Sequence, residues 1–129
     1  MSSDNTLASK PATRLNYLEF PSRDLVSTKA FFEEAFQWEF TDYGDEYSAF
    51  DSGVLDGGFF KSDQVASAKH GAALAVFYSD DLEASMTRIE SLGGVITQAI
   101  FEFPGGRRFH FVEPGGNELA VWGDPVSQS

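Results

Sequence analysis

Tyr17-Leu18-Glu19-Phe20-Pro21-Ser22-Arg23-Asp24-Leu25 is an apolar run that closes on a polar helix start, and Leu74-Ala75-Val76-Phe77-Tyr78-Ser79-Asp80-Asp81-Leu82 sets out the same layout 57 residues later. The match continues past each Asp-Leu, with Phe32 against Ile89 and Glu33 against Glu90. Two copies of a strand-to-helix unit in a chain of 129 residues imply an architecture of two similar halves. Working outward, residues 14–21 read as a strand, and Leu25, Phe32 and Phe36 recur at helical spacing over Asp24 to Phe36. Trp38 to Phe60 reads as short strands broken at Gly44-Asp45, Asp51-Ser52-Gly53 and Gly57-Gly58.

Residues 61–71 are small and polar and read as a linker. A strand over 72–78 follows, then a helix over Asp80 to Leu92 with the stripe Leu82, Met86, Ile89 and Leu92. Asp80 and Glu83 have capping-box spacing, and Gly93-Gly94 supplies a left-handed stop. Three strands, around 95–103, 107–113 and 117–122, are separated by Pro104-Gly105-Gly106 and Pro114-Gly115-Gly116. Each half is therefore predicted to be βαβββ, over 14–60 and 72–122, within one domain spanning 14–123. Residues 1–13 are expected to be a disordered tail, since they lack the basic and apolar stretches of a secretory signal.

Composition narrows the function. Thirteen Phe and two Trp suit a well-filled core. With no cysteine, disulfides, thiolate ligands and thiol nucleophiles are excluded, and a reducing, cytoplasmic setting is expected. The chain carries 20 acidic against 9 basic residues, a formal charge of −11, and its only basic cluster is Arg107-Arg108. Nucleic acid is a poor partner for such a surface. No apolar run approaches the roughly 20 residues that cross a bilayer, so no membrane role is expected. The acidity is ordinary solubility charge or a field for a cationic ligand. The glycine pairs sit in hairpins rather than at helix starts, which excludes a phosphate cradle.

Three stretches resemble the vicinal oxygen chelate superfamily of glyoxalase I, ring-cleaving dioxygenases and bleomycin-resistance proteins. They are Tyr17 to Trp38, ending Ala30-Phe31-Phe32-Glu33-Glu34-Ala35-Phe36-Gln37-Trp38; Ser79-Asp80-Asp81-Leu82 leading to Leu92-Gly93-Gly94; and Glu113-Pro114-Gly115-Gly116-Asn117. Gln37 stands where relatives usually have Gly. The resemblance implies an α+β fold in which two βαβββ modules form a curved sheet around a shared cleft, and a chain that pairs as a homodimer. It places metal ligands at Tyr17, Leu74 and Ala120, with a fourth near Asp56. Leu and Ala cannot coordinate, and a phenol is a poor ligand for such ions, so no metal and no cofactor is expected. A displaced site would have to draw on His110, Glu19 and Glu118, with His70 at its edge.

Strand alternation turns Tyr17 and Glu19, and Glu118, Ala120 and Trp122, toward the cleft. Burial of Phe109 and Phe111 would turn Arg108 and His110 the same way. Glu19 and His110 are the candidate acid–base residues, although Glu19 could simply pair with Arg108. Tyr17, Tyr78, Arg108, Glu118 and Trp122 are the candidate ligand-binding residues, with Arg108 able to clamp a carboxylate or phosphate and the aromatics forming flat walls. The expected function is metal-independent binding of a small molecule. The alternative is a glyoxalase-type lyase or isomerase, with a displaced metal or Glu/His acid–base catalysis.

Overall fold

The computed structural model describes residues 11–126, so the expected tail over 1–13 lies for the most part outside the described residues. The element order is β1 (Tyr17–Ser22), α1 (Leu25–Phe36), β2 (Glu39–Asp42), β3 (Tyr47–Asp51) and β4 (Asp56–Lys61), then β5 (Ala75–Tyr78), α2 (Leu82–Ser91), β6 (Val95–Phe103), β7 (Gly106–Val112) and β8 (Glu118–Gly123). A single 3₁₀ turn, Ala68–His70, lies in the linker. The strands form two four-stranded mixed sheets, β1-β4-β3-β2 and β5-β8-β7-β6. In each, the first strand runs parallel to the fourth and the other pairs are antiparallel. The fold is α+β, built of two βαβββ modules.

The repeat extends to the hydrogen bonds that start the helices. Asp24 caps α1 by accepting from the Ser27 amide, and Asp81 caps α2 by accepting from the Ala84 amide, both at 3.1 Å. The Ser22 and Ser79 hydroxyls each accept from the backbone N–H of these caps at 3.0 Å. Each also meets a hydroxyl on its own helix, Ser22 with Thr28 at 2.7 Å and Ser79 with Ser85 at 2.6 Å. The expected capping box at Asp80 and Glu83 is displaced by one residue: Asp81 is the cap. Asp81 occupies the position of Asp24, so the duplicated Ser-x-Asp turn, not the spacing to Glu83, sets the helix start.

The glycines divide between turns and hollows. Gly93 is left-handed as expected (φ 103°). Gly57-Gly58, expected as a break, lies within β4. A Cβ on Gly57 would strike the Phe50 ring, and one on Gly58 the Tyr47 hydroxyl, so these glycines make room for rings lying across the strand. Gln37 closes α1 in the left-handed region at φ 61°, the only non-glycine residue with positive φ among those described.

The core draws on both modules. Phe31, Phe32, Phe50, Phe59, Leu82, Ile89, Phe109, Phe111, Leu119 and Val121 form one buried cluster. Helix α1 joins its halves: Phe32 stacks on Trp38 at 4.6 Å, Phe31 meets Phe111 at 5.9 Å, and Phe36 stacks on Phe77 at 4.3 Å. Edge strands β1 and β5 flank an apolar seam of about 370 Å³ lined by Leu18 to Pro21 and Ala72 to Ala75. The β7–β8 hairpin is tied to the end of β1. There the Arg23 amide donates to the Gly115 carbonyl and the Asn117 side chain donates to the Pro21 carbonyl.

Candidate functional site

With Leu18 and Phe20 turned to the core, period-two alternation sends Tyr17 and Glu19 to the opposite, open face of the first sheet. They meet Tyr47 of β3 there. The Tyr47 hydroxyl bonds the Tyr17 hydroxyl and donates to Glu19 Oε2 at 3.0 Å. Burial, followed by these two partners, pushes the Tyr47 phenol far above its ordinary value, so it stays a neutral donor. Gly58 supplies the hollow in which its hydroxyl rests. Tyr47 is a site residue that the sequence reading misses; the alternation of β3 opposite a Gly-Gly pair is the available signal.

The second sheet carries a separate set on its own open face. Phe109 and Phe111 are fully buried, which turns Arg108 and His110 to the opposite face of the sheet beside Trp122 and Ala120, their partners in the β7–β8 register, where Arg108 is half-buried and His110 buried. His110 Nδ1 lies 3.4 Å from Glu118 Oε2, and the other Glu118 oxygen accepts from the Ala68 amide at 2.9 Å. In the neutral ring this partner selects the Nδ1–H tautomer and leaves Nε2 as an acceptor. Nε2 is buried and has no partner among the described residues, and the imidazole lies 5.8 Å from the Phe101 ring, centre to centre.

Arg108 does not pair with Glu19. Its guanidinium sits 5.4 Å from the Phe101 ring centre and 5.5 Å from that of Phe103, and its Nε is buried without a partner among the described residues. A basin of about 300 Å³, lined by Val76, Phe103, Gly105, Arg108 and Trp122, opens beside it. Tyr78 packs edge-on against Trp122 at 4.9 Å and donates to Asp124 at 2.7 Å, which raises its phenol above the ordinary value. Arg107 points to the other face, in a forked ion pair with Glu83. Among the described residues no hydrogen bond or ion pair joins the Tyr17–Glu19–Tyr47 group to the Arg108–His110–Glu118 group.

The four positions where the resemblance places a metal hold one phenol, one carboxylate, an isobutyl group and a methyl group. Tyr17 and Asp56 are register partners on β1 and β4, and the Tyr17 hydroxyl is already engaged with Tyr47. Ala120 is fully buried beside His110. This donor set does not fit a divalent ion, which takes several carboxylate oxygens and imidazole nitrogens. The displaced set does not assemble either: His110 and Glu118 meet, Glu19 is bound by Tyr47, and His70 is exposed on the linker turn. Among the described residues no three His, Asp or Glu side chains gather as a group able to hold a metal.

The family model of the glyoxalase/bleomycin resistance protein/dioxygenase superfamily matches residues 14–121, and the chain belongs to that superfamily. Solved structures agree on the fold. A glyoxalase/bleomycin resistance protein/dioxygenase family enzyme from Burkholderia phytofirmans superposes with a TM-score of 0.72 at 15% identity, over 87% of this chain and 99% of that one. The fosfomycin resistance protein FosX from Listeria monocytogenes, in a mutant form complexed with Mn(II) and 1S,2S-dihydroxypropylphosphonic acid, gives 0.72 at 18% identity over 87% and 90%. Lactoylglutathione lyase from Agrobacterium tumefaciens gives 0.66 at 20% identity over 88% and 96%. No curated protein sequence matches significantly. Among the described residues no helix is long and apolar enough to cross a membrane.

Proposed function

We propose that this chain is a small-molecule-binding protein that holds its ligand on the open face of the second module without a metal. One observation carries the reading: an aromatic-walled basin of about 300 Å³ has a cationic side chain in its lining whose bonding capacity the protein leaves unfilled. The guanidinium N–H groups of Arg108 that have no acceptor among the described residues are available to donate to a ligand. Arg108, Trp122 and Tyr78 form the binding wall, and Glu118 acts through His110. Tyr17 and Glu19 line the open face of the first module. The chain acts in the cytoplasm as a homodimer, in which a second copy covers apolar groups exposed on the open face of the first module, among them Tyr17 and Phe60.

The test is a thermal-shift screen of metabolites, run with and without divalent metals, on the wild type and on Trp122→Ala. Stabilisation that is independent of metal and lost in the variant supports the reading. One equivalent of transition metal in protein purified without chelator overturns it.

The pairing of His110 with Glu118 favours a second reading, an acid–base enzyme in which Nε2 accepts a proton. His110→Gln separates the two: turnover falls by about 10²–10⁴-fold if Nε2 is the base, whereas binding weakens gradually if it is a wall residue.

A further inference from the structure

Resting on the binding reading above, we propose that the second-module basin takes an organic anion: a carboxylate or phosphonate on a flat apolar body, seated on Arg108. The chain has 20 carboxylates for 9 lysines and arginines, so an acid partner for any arginine is easily found. Every other described arginine has a hydrogen-bond acceptor. Arg14 donates to the Pro11 carbonyl, Arg23 to the Asp63 carbonyl, Arg88 to the Glu34 carbonyl and Arg107 to Glu83. Arg108, half-buried, donates to nothing among the described residues; it is held only by the faces of Phe101 and Phe103.

That arrangement suits anion capture. The rings fix the guanidinium in place without using its N–H groups, and its planar fork matches the two oxygens of a carboxylate or phosphonate. Val76, Phe103 and Trp122 offer an apolar wall for the rest of the molecule. The net charge of −11 repels anions from the protein as a whole, so one that binds does so through a local contact. Cationic ligands, which the composition by itself favours, meet a cation here.

The experiment uses four probes of one shape: phenylacetate, phenylphosphonate, neutral phenylacetamide and cationic phenethylamine. Isothermal titration gives affinity, and the Trp122 indole N–H resonance reports location. The two acids are expected to bind and shift that resonance, and the amide and amine to bind at least tenfold more weakly. The stronger acid identifies which anion the fork prefers. Arg108→Gln should weaken acid binding about 10–100-fold, as loss of charge-assisted bonds implies, while keeping the wild-type circular dichroism spectrum. Arg108→Lys, which keeps the charge and loses the fork, should fall between them. Equal acid binding by Arg108→Gln overturns the proposal, as does preference for the amine or amide. In that case the binding reading stands; if none of the four probes binds, the anion proposal falls and the metabolite screen alone decides the binding reading.

Discussion

Replacing Glu113 by Gln tests how the two modules are joined. Glu113 is 1% exposed in the β7–β8 hairpin, and both oxygens accept. Oε1 accepts from Thr28 Oγ1 at 2.8 Å and the Gly115 amide at 2.6 Å; Oε2 accepts from Asn117 Nδ2 at 2.8 Å and the Asn117 amide at 3.3 Å. Thr28 belongs to α1 of the first module, so this carboxylate bonds residues 85 positions apart. A glutamine keeps one oxygen. Its best placement leaves that oxygen on Asn117 and turns the amide toward Thr28, whose hydroxyl rotates to accept because its bond to Ser22 can run either way. The Gly115 N–H then faces an NH₂ group and loses its acceptor. One buried donor left unpaired costs about 1–3 kcal/mol. The weaker neutral bonds to Asn117 add to this, and removing a buried charge offsets part of it, so we expect about 2 kcal/mol. At about 3–5 °C per kcal/mol for a domain of this size, the melting temperature should drop by about 6–10 °C. Burial holds the Glu113 carboxyl above its ordinary 4.5, outweighing its hydrogen bonds. A raised acid stabilises the fold fully below its unfolded value and loses that contribution as pH rises through the folded one. The gap between wild type and variant should therefore widen as the pH is lowered from neutrality toward 4.5. Calorimetric melts across that range are the assay. A variant melting within about 1 °C of the wild type at pH 7 would refute the joint, and a gap that narrows on acidification would refute the dominance of burial.

The remaining predictions are more local. Gln37→Gly should stabilise the protein by about 0.5–1 kcal/mol in chemical denaturation, because the left-handed backbone there costs a side chain about 1–2 kcal/mol and glycine returns part of that as chain entropy; an unchanged midpoint would count against it. Tyr47 should still be protonated well above pH 10.0 in an ultraviolet titration, and the stability it contributes should be intact below pH 10.0 and be lost as pH rises through its raised value. Gly58→Ala should abolish that late-titrating signal, since the new methyl takes the place of the Tyr47 hydroxyl. Light scattering on the eluting protein should give twice the 14.2 kDa chain mass, and a monomer at micromolar concentration would remove the proposed homodimer.

Much of the fold is legible from local pattern. A helical stripe and a period-two strand each declare their buried face within about ten residues, so Leu18 and Phe20 inward against Tyr17 and Glu19 outward follow from alternation alone. The facing of Arg108 and His110 follows once Phe109 and Phe111 are assigned inward. Partners separated in sequence are not legible. Residue type alone makes Arg108 a fitting partner for Glu19, yet Tyr47 holds it, because β1 and β3 are brought together only through β4. Gly57-Gly58 reads as a break because a turn and a ring-filled hollow call for the same residue.

By itself, then, the sequence determined the two-fold repeat and the absence of ligating side chains at Leu74 and Ala120, two of the four positions where the resemblance places a metal. These depend on residue identity and on periodicities a few residues long. The tertiary structure alone decided that Glu113 bonds across the modules and that Tyr47 takes up Glu19. It also decided that Arg108 rests on Phe101 and Phe103 with no ion-pair partner among the described residues. Each of these is a contact between strands or modules, set by register and packing, which no short-range pattern encodes.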